Sequence, residues 1–135
     1  MDNYLEAFTL AYLETARWSS GDGEHEYFDN FGWSEHAKKQ AAYDCQIFID
    51  KINSTFDKDI ARYILNRKYK GLLAPHDFWL TRAGHGAGFW DGDWDDQEYE
   101  GETSVPDLGD RLTEISKSFP YLDVYLGDDN LLYFF

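Results

Sequence analysis

Residues 77–102 read DFWLTRAGHGAGFWDGDWDDQEYEGE, and this stretch decides where the chain changes from helices to strands. The run 77–82 is rich in residues typical of a strand, and a glycine-rich turn around His85 follows it. Residues 87–90 have the composition of a returning strand. The pattern therefore predicts a β-hairpin at this point.

Helices are predicted on both sides of the hairpin from the spacing of apolar residues. The clearest of them begins after Ser34, a residue type that caps helix N-termini. Its apolar residues recur at helical spacing, so Cys45 and Phe48 fall on one stripe and are predicted to be buried. The predicted helices cover residues 3–17, 35–53, 58–70 and 105–119.

Two more strands are predicted at the end of the chain, over residues 121–126 and 131–135, with a turn between them. The sequence therefore predicts an α+β fold. In it, helices in the N-terminal half precede a small, mainly antiparallel sheet of about four strands with one inserted helix. A chain of 135 residues is long enough for one core, so residues 1–135 are predicted to form a single domain.

The charge distribution is strongly uneven. The net charge is −14, yet residues 34–70 carry five acids and eight bases, while residues 84–110 carry nine acids and no Lys or Arg. Phosphate contacts need clustered cations, so direct binding to nucleic acid is not expected. A protein partner with a basic surface is expected instead.

The sequence also indicates where the protein acts. No apolar run is long enough to predict a membrane span, and the N-terminus lacks the basic region of a secretory signal. Cys45 is the single cysteine, so no internal disulfide is possible. These features predict a cytoplasmic protein.

Several segments resemble a family of small uncharacterised phage and mobile-element proteins. They are AYLETARWSS, YDCQIFI, GDRLTEISKSF, VYLGDDNLLYFF and the distinctive core DFWLTR-x-GHGAGFWD. The resemblance covers nearly the whole chain in the same order. It implies a phage accessory protein acting inside a bacterial host cell, and it implies no particular activity or binding residues.

Carboxylates and aromatic residues are clustered after the hairpin. Carboxylates attract basic surfaces, and aromatic residues anchor protein interfaces. We therefore expect protein–protein binding. In its sharper form, this is inhibition of a host nucleic-acid-handling or defence enzyme by a DNA mimic, with carboxylates in place of phosphates. A surface that only maintains solubility is the plain alternative. The predicted contact residues are Trp90, Asp91, Asp93, Trp94, Asp95, Asp96, Glu98, Tyr99 and Glu100.

A different hypothesis places a small-ligand or catalytic site at the glycine turn, where glycines let a ligand approach the backbone. The spacing is not that of a dinucleotide-binding loop, and a tight structural turn explains it as well. His85 and Asp91 are a candidate acid–base pair, but no nucleophile is placed beside them. The sequence therefore favours a protein without enzymatic activity. The predicted ligand residues are Arg82, Gly84, His85, Gly86 and Gly88.

The acidic run also resembles part of a calcium-binding loop. Asp91, Asp93, Asp95 and Glu102 fall at positions 1, 3, 5 and 12 of that pattern, but Asp96 occupies position 6, where the sharp turn needs glycine. The histidines show no paired spacing of the kind that zinc sites use. Neither a metal nor a cofactor is therefore predicted.

Overall fold

Five helices occur within residues 3–91, 94 and 107–135, the residues that this computed structural model describes. Four of them occur where helices were predicted, and the fourth in chain order was not predicted. None of the helices in these described ranges combines the length and the apolar character needed to cross a lipid bilayer. The helices are α1 (Asn3–Trp18), α2 (Glu35–Thr55), α3 (Lys58–Asn66), α4 (Leu73–Arg82) and α5 (Leu108–Lys117).

Capping side chains fix the starts of α2 and α3. The Ser34 hydroxyl accepts a hydrogen bond from the N–H of Ala37 at 3.1 Å. The Asp57 carboxylate accepts one from the N–H of Ile60 at 3.0 Å. Each bond satisfies a backbone donor that a helix start would otherwise leave without a partner.

The sheet of the described residues has three strands in the order β1-β3-β2. The central strand β3 pairs in parallel with β1, where Trp33 lies opposite Leu132, and antiparallel with β2, where Tyr125 lies opposite Tyr133. The turn before β3 contains Asn130 at φ 63°, a left-handed conformation that asparagine tolerates. The strands are β1 (Gly32–Trp33), β2 (Val124–Leu126) and β3 (Leu131–Phe134).

Aromatic rings fill the core between α1, α2 and α4. Phe48 stacks on Phe78 with ring centroids 4.2 Å apart, and Phe8 and Phe89 lie 5.9 and 6.0 Å from the Phe48 ring. The predicted burial of Cys45 and Phe48 is confirmed, since both are fully buried. Burying a phenylalanine side chain stabilises a fold by roughly 1.5–3 kcal/mol, so this cluster is a major source of stability.

The predicted strand at 77–82 is wrong, because these residues form the second half of α4. Nine of the ten residues of α4 are buried. A helix that is buried on nearly all sides shows little helical period, so a short run of it cannot be distinguished from a buried strand.

The glycine turn ends a helix and does not connect two strands. Gly84 has φ +73°, its N–H donates to the carbonyl of Thr81 at 3.2 Å, and the N–H of His85 donates to the carbonyl of Leu80 at 3.0 Å. These two bonds define the Schellman motif, in which a left-handed glycine terminates a helix. The second predicted strand, over 87–90, is also absent, and a 3₁₀ turn (Phe89–Asp91) takes its place.

The α+β class is confirmed, but its details differ from the prediction. The sheet within the described ranges has three strands and is mixed, whereas about four mainly antiparallel strands were expected. The difference arises because the predicted hairpin is helix and turn, and because the two-residue strand β1 is too short to leave a sequence pattern. Since β1 precedes α2, four helices lie between β1 and β2 in the chain, where one inserted helix was expected.

Candidate functional site

The 3₁₀ turn carries two residues of the predicted contact surface. Phe89 is buried, and its N–H donates to the Thr81 hydroxyl at 3.0 Å, which holds the turn against α4. Next to this anchor, Trp90 is 47% exposed and Asp91 is exposed. A large aromatic ring and a carboxylate are therefore presented to solvent from a fixed backbone.

Trp94 does not belong to that surface, which corrects its expected role as an exposed anchor. It is fully buried, its indole N–H donates to the Asp77 carboxylate at 2.7 Å, and the Arg67 guanidinium lies 4.5 Å over its ring. A ring enclosed in this way is not available to a partner. The remaining predicted contact residues, Asp93, Asp95, Asp96, Glu98, Tyr99 and Glu100, lie outside the described residues.

Arg82 is likewise buried and is not placed to bind a ligand. Its guanidinium donates to the Asp44 carboxylate at 2.7 Å, to the Tyr12 hydroxyl at 3.2 Å and to the carbonyl of Pro120 at 2.9 Å. Burial raises the pKa of Tyr12 well above its ordinary value, so the phenol remains protonated. Arg82 therefore joins α4 to α1, α2 and the chain after α5, which is a structural role.

The other residues of the predicted ligand turn also have structural explanations. Gly84 ends α4, and the N–H of Gly88 donates to the Asp91 carboxylate at 3.3 Å. His85 is half-buried and Asp91 is exposed, and the hydrogen bonds of the described residues include none between these two side chains. Gly84 and Gly88 have positive φ angles, which residues with a Cβ rarely adopt, and Gly86 does not.

Gly88→Ala is expected to lower the free energy of unfolding by about 1–3 kcal/mol. Gly88 has φ +155°, and a Cβ added there would collide with the Thr81 hydroxyl and lie 3.3 Å from the Thr81 Cα. Gly86→Ala is the matched control, because a Cβ there meets no atom within 4 Å. Urea denaturation of both variants measures the difference. Equal stabilities would contradict the close approach of Gly88 to α4.

The single thiol is placed for packing. Cys45 is fully buried on α2. Burial raises the pKa of the Cys45 thiol well above its ordinary value. The reactive form of cysteine is the thiolate, so this side chain is not a nucleophile in the folded protein.

A cleft that the sequence did not predict lies between α1 and the chain that leads into α4. It has a volume of about 530 Å³. Trp18, which is 43% exposed, stacks on His76 with ring centroids 5.8 Å apart and an interplanar angle of 26°. Tyr69 and Lys70 also line it. The cleft thus combines aromatic surface with a half-buried imidazole.

Hydrogen bonding fixes the tautomer of His76. The Thr15 hydroxyl has one proton, which it donates to the carbonyl of Ala11 at 2.9 Å. The Thr15 hydroxyl must therefore accept the hydrogen bond that joins it to His76. The donor is Nδ1 of His76, 3.2 Å away, so Nδ1 carries the imidazole proton. Burial lowers the pKa of His76, and this effect is larger than that of the Asp91 carboxylate, whose negative charge raises the pKa. The imidazole is therefore neutral at pH 7, and its Nε2 is a hydrogen-bond acceptor.

No local pattern could have revealed this cleft. Thr15 and His76 are 61 positions apart in the chain, and packing of α1 against α4 brings them together.

Comparison with known protein families, curated proteins and solved structures gives no match for this chain. The resemblance to phage and mobile-element proteins therefore stays a prediction. In the described part of the chain, no three His, Cys, Asp or Glu side chains are grouped as a metal ion would require. Three of the four calcium-loop candidates, Asp93, Asp95 and Glu102, lie outside that part.

Proposed function

We propose that the protein acts by binding another protein that has a basic surface. The observation that carries this proposal is the charge of residues 84–110, which include nine carboxylates and no Lys or Arg. Long-range attraction to a basic partner raises the rate of association and favours that partner over acidic ones. The phage resemblance adds the finer proposal that the partner is a host nucleic-acid-handling or defence enzyme.

The described residues add an aromatic anchor to this charge. Trp90 is nearly half exposed and stands on a turn that Phe89 fixes to the core. A ring presented from a fixed backbone loses less conformational freedom on binding than one on a mobile backbone, and tryptophan is frequent among the residues that dominate interface energies. Asp91, which is exposed beside it, continues the negative charge of the sequence that follows.

The sharper proposal is mimicry of DNA. A protein that binds DNA presents Lys and Arg at the spacing of phosphates, and a run of carboxylates offers the same surface a competing set of negative charges. Competition of this kind depends on salt, because exposed charges are screened over about 8 Å at physiological ionic strength.

Neutralising four of the acidic residues is expected to weaken binding while the fold is retained. The variant is Asp93→Asn, Asp95→Asn, Asp96→Asn and Glu98→Gln in one chain. The partner is first captured from bacterial lysate and purified, and its affinity for wild type and variant is then measured at low and physiological salt. We expect the affinity of wild type to fall with salt and that of the variant to be lower and less salt-dependent.

A second variant with the same change in net charge controls for charge alone. It neutralises four exposed acids elsewhere, namely Glu24, Glu26, Asp29 and Asp128. Trp90→Ala is expected to weaken binding by about 2 kcal/mol, and Tyr43→Ala, which removes an exposed ring from α2, is expected to have no effect. A quadruple variant that binds as tightly as wild type at low salt would disprove the proposal.

A further inference from the structure

We propose that the cleft lined by Trp18 and His76 binds a purine nucleoside monophosphate, with the base against Trp18 and Tyr69 and the phosphate at Arg67. This inference is independent of the acidic contact surface. Such a ligand has three chemical requirements. Residues of the cleft, or of the cavity beside it, meet each of them.

The first requirement is a flat apolar surface for the base. Trp18 and Tyr69 both line the cleft, and they are 43% and 73% exposed. Bases stack on aromatic side chains, and the volume of about 530 Å³ lies in the range of small-molecule sites. His76 stacks on Trp18 and so holds the indole ring in place.

The second requirement is a hydrogen-bond acceptor for the N–H groups of a purine. Because Nδ1 of His76 donates to Thr15, the Nε2 atom has a lone pair available. The hydrogen bonds of the described residues include none to this nitrogen. A neutral imidazole that lines an aromatic cleft is suited to accept a hydrogen bond from an exocyclic amine or a ring N–H of the purine.

The third requirement is a cation for the phosphate. A second cavity, of about 520 Å³, shares Tyr69 and Leu73 with the cleft and is lined also by Arg67 and Lys68. Nη1 of Arg67 is buried and has no hydrogen-bond partner within the part of the chain that the structure describes. Arg67 as a whole is only half-buried and lines this cavity, so the positive charge of its guanidinium, which lies over the Trp94 ring, favours a phosphate bound there.

The backbone that lines the cleft agrees with the same assignment. Lys70 has φ 58° and Gly71 has φ +118°, so a non-glycine residue is held in the left-handed region beside the cleft. Such conformations are frequent at ligand sites. Lys70 also adds a third cation within four residues of Arg67, in a chain whose net charge is −14.

Calorimetric titration of the full chain with adenosine and guanosine 5′-monophosphate tests the proposal. We expect at least one of them to bind, and the corresponding nucleoside without phosphate to bind about tenfold more weakly. Trp18→Leu should weaken both nucleotide and nucleoside by about tenfold. Arg67→Met should weaken the nucleotide by about tenfold and leave the nucleoside unchanged.

Arg62→Met is the matched control for Arg67→Met. Arg62 lies on α3, pairs with exposed Asp59 and does not line either cavity, so its loss changes the net charge equally and should leave binding unchanged. Thermal melting verifies that each variant is folded. Since the Trp18 ring is partly exposed, Trp18→Leu tests the base site even if Arg67→Met does not fold.

Three results would overturn the inference. The first is that neither nucleotide binds at millimolar concentration. The second is that folded Trp18→Leu binds as tightly as wild type. The third is that Arg62→Met and Arg67→Met weaken the nucleotide equally, which would indicate attraction by net charge without a phosphate site.

Discussion

Arg82→Met is expected to lower the free energy of unfolding by about 3–5 kcal/mol, because it leaves the Asp44 carboxylate buried without its cation. The Arg82 side chain is 2% exposed and that of Asp44 is 12% exposed. The variant also removes the donors to the Tyr12 hydroxyl and the Pro120 carbonyl. Methionine retains much of the side-chain volume, so the loss reflects charge and hydrogen bonding more than packing. Urea denaturation measures it.

The double variant Asp44→Leu with Arg82→Met separates the two explanations. Replacing a whole buried ion pair by apolar residues is often neutral, whereas removing one partner is not. The double variant should therefore be more stable than Arg82→Met alone. If the two substitutions instead add their separate losses, the ion pair is not the source of the effect.

Trp94→Ala is expected to destabilise the protein by about 3–5 kcal/mol, because a large buried aromatic side chain is removed. The ring lies between Phe89, whose centroid is 5.4 Å away, and Arg67, and its N–H binds Asp77. Circular dichroism during thermal or urea unfolding measures this loss.

Trp90→Ala is the control for Trp94→Ala, four positions earlier in the chain. Since the Trp90 ring is nearly half exposed, its removal should change the free energy of unfolding by no more than about 0.5 kcal/mol. Binding and stability should thus respond to different tryptophans of the same stretch. A stable Trp94→Ala variant that fails only in binding would show that the burial of this ring is wrong.

The parts of the fold that were predicted correctly are those with a strong local signal. Ser34 begins α2 as a cap, and the apolar stripe through Cys45 and Phe48 is buried as expected. The final strand was also predicted, because residues 131–135 are apolar and aromatic after a turn. In each case the local pattern and the tertiary structure agree.

The central stretch was predicted wrongly because burial on all sides removes the helical period. In α4, Phe78, Trp79 and Leu80 are consecutive and all buried, which is also the pattern of a strand inside a sheet. Gly84 then indicates a turn in either case, since a left-handed glycine both ends helices and connects strands. Only the tertiary packing of α4 against α1 distinguishes the two.

The candidate site residues were affected in the same way. Trp94 and Arg82 are residue types that often occur in binding sites, yet both lie in the core. Asp77 accepts a hydrogen bond from Trp94 there, and Asp44 accepts one from Arg82. The cleft at Trp18 could not be predicted, since its walls come from segments far apart in sequence. Charge, which needs no packing, is the one feature of the proposed contact surface that the sequence determines directly.

Cys45 is placed so that its reaction with a thiol reagent can measure transient opening of the core. It is the single cysteine of the chain, it is fully buried in the middle of α2, and its thiol is protonated in the folded state. An alkylating reagent therefore reaches it only when the helices separate. The labelling rate then measures how often the core opens, with no cysteine introduced by mutation and with a single site to assign.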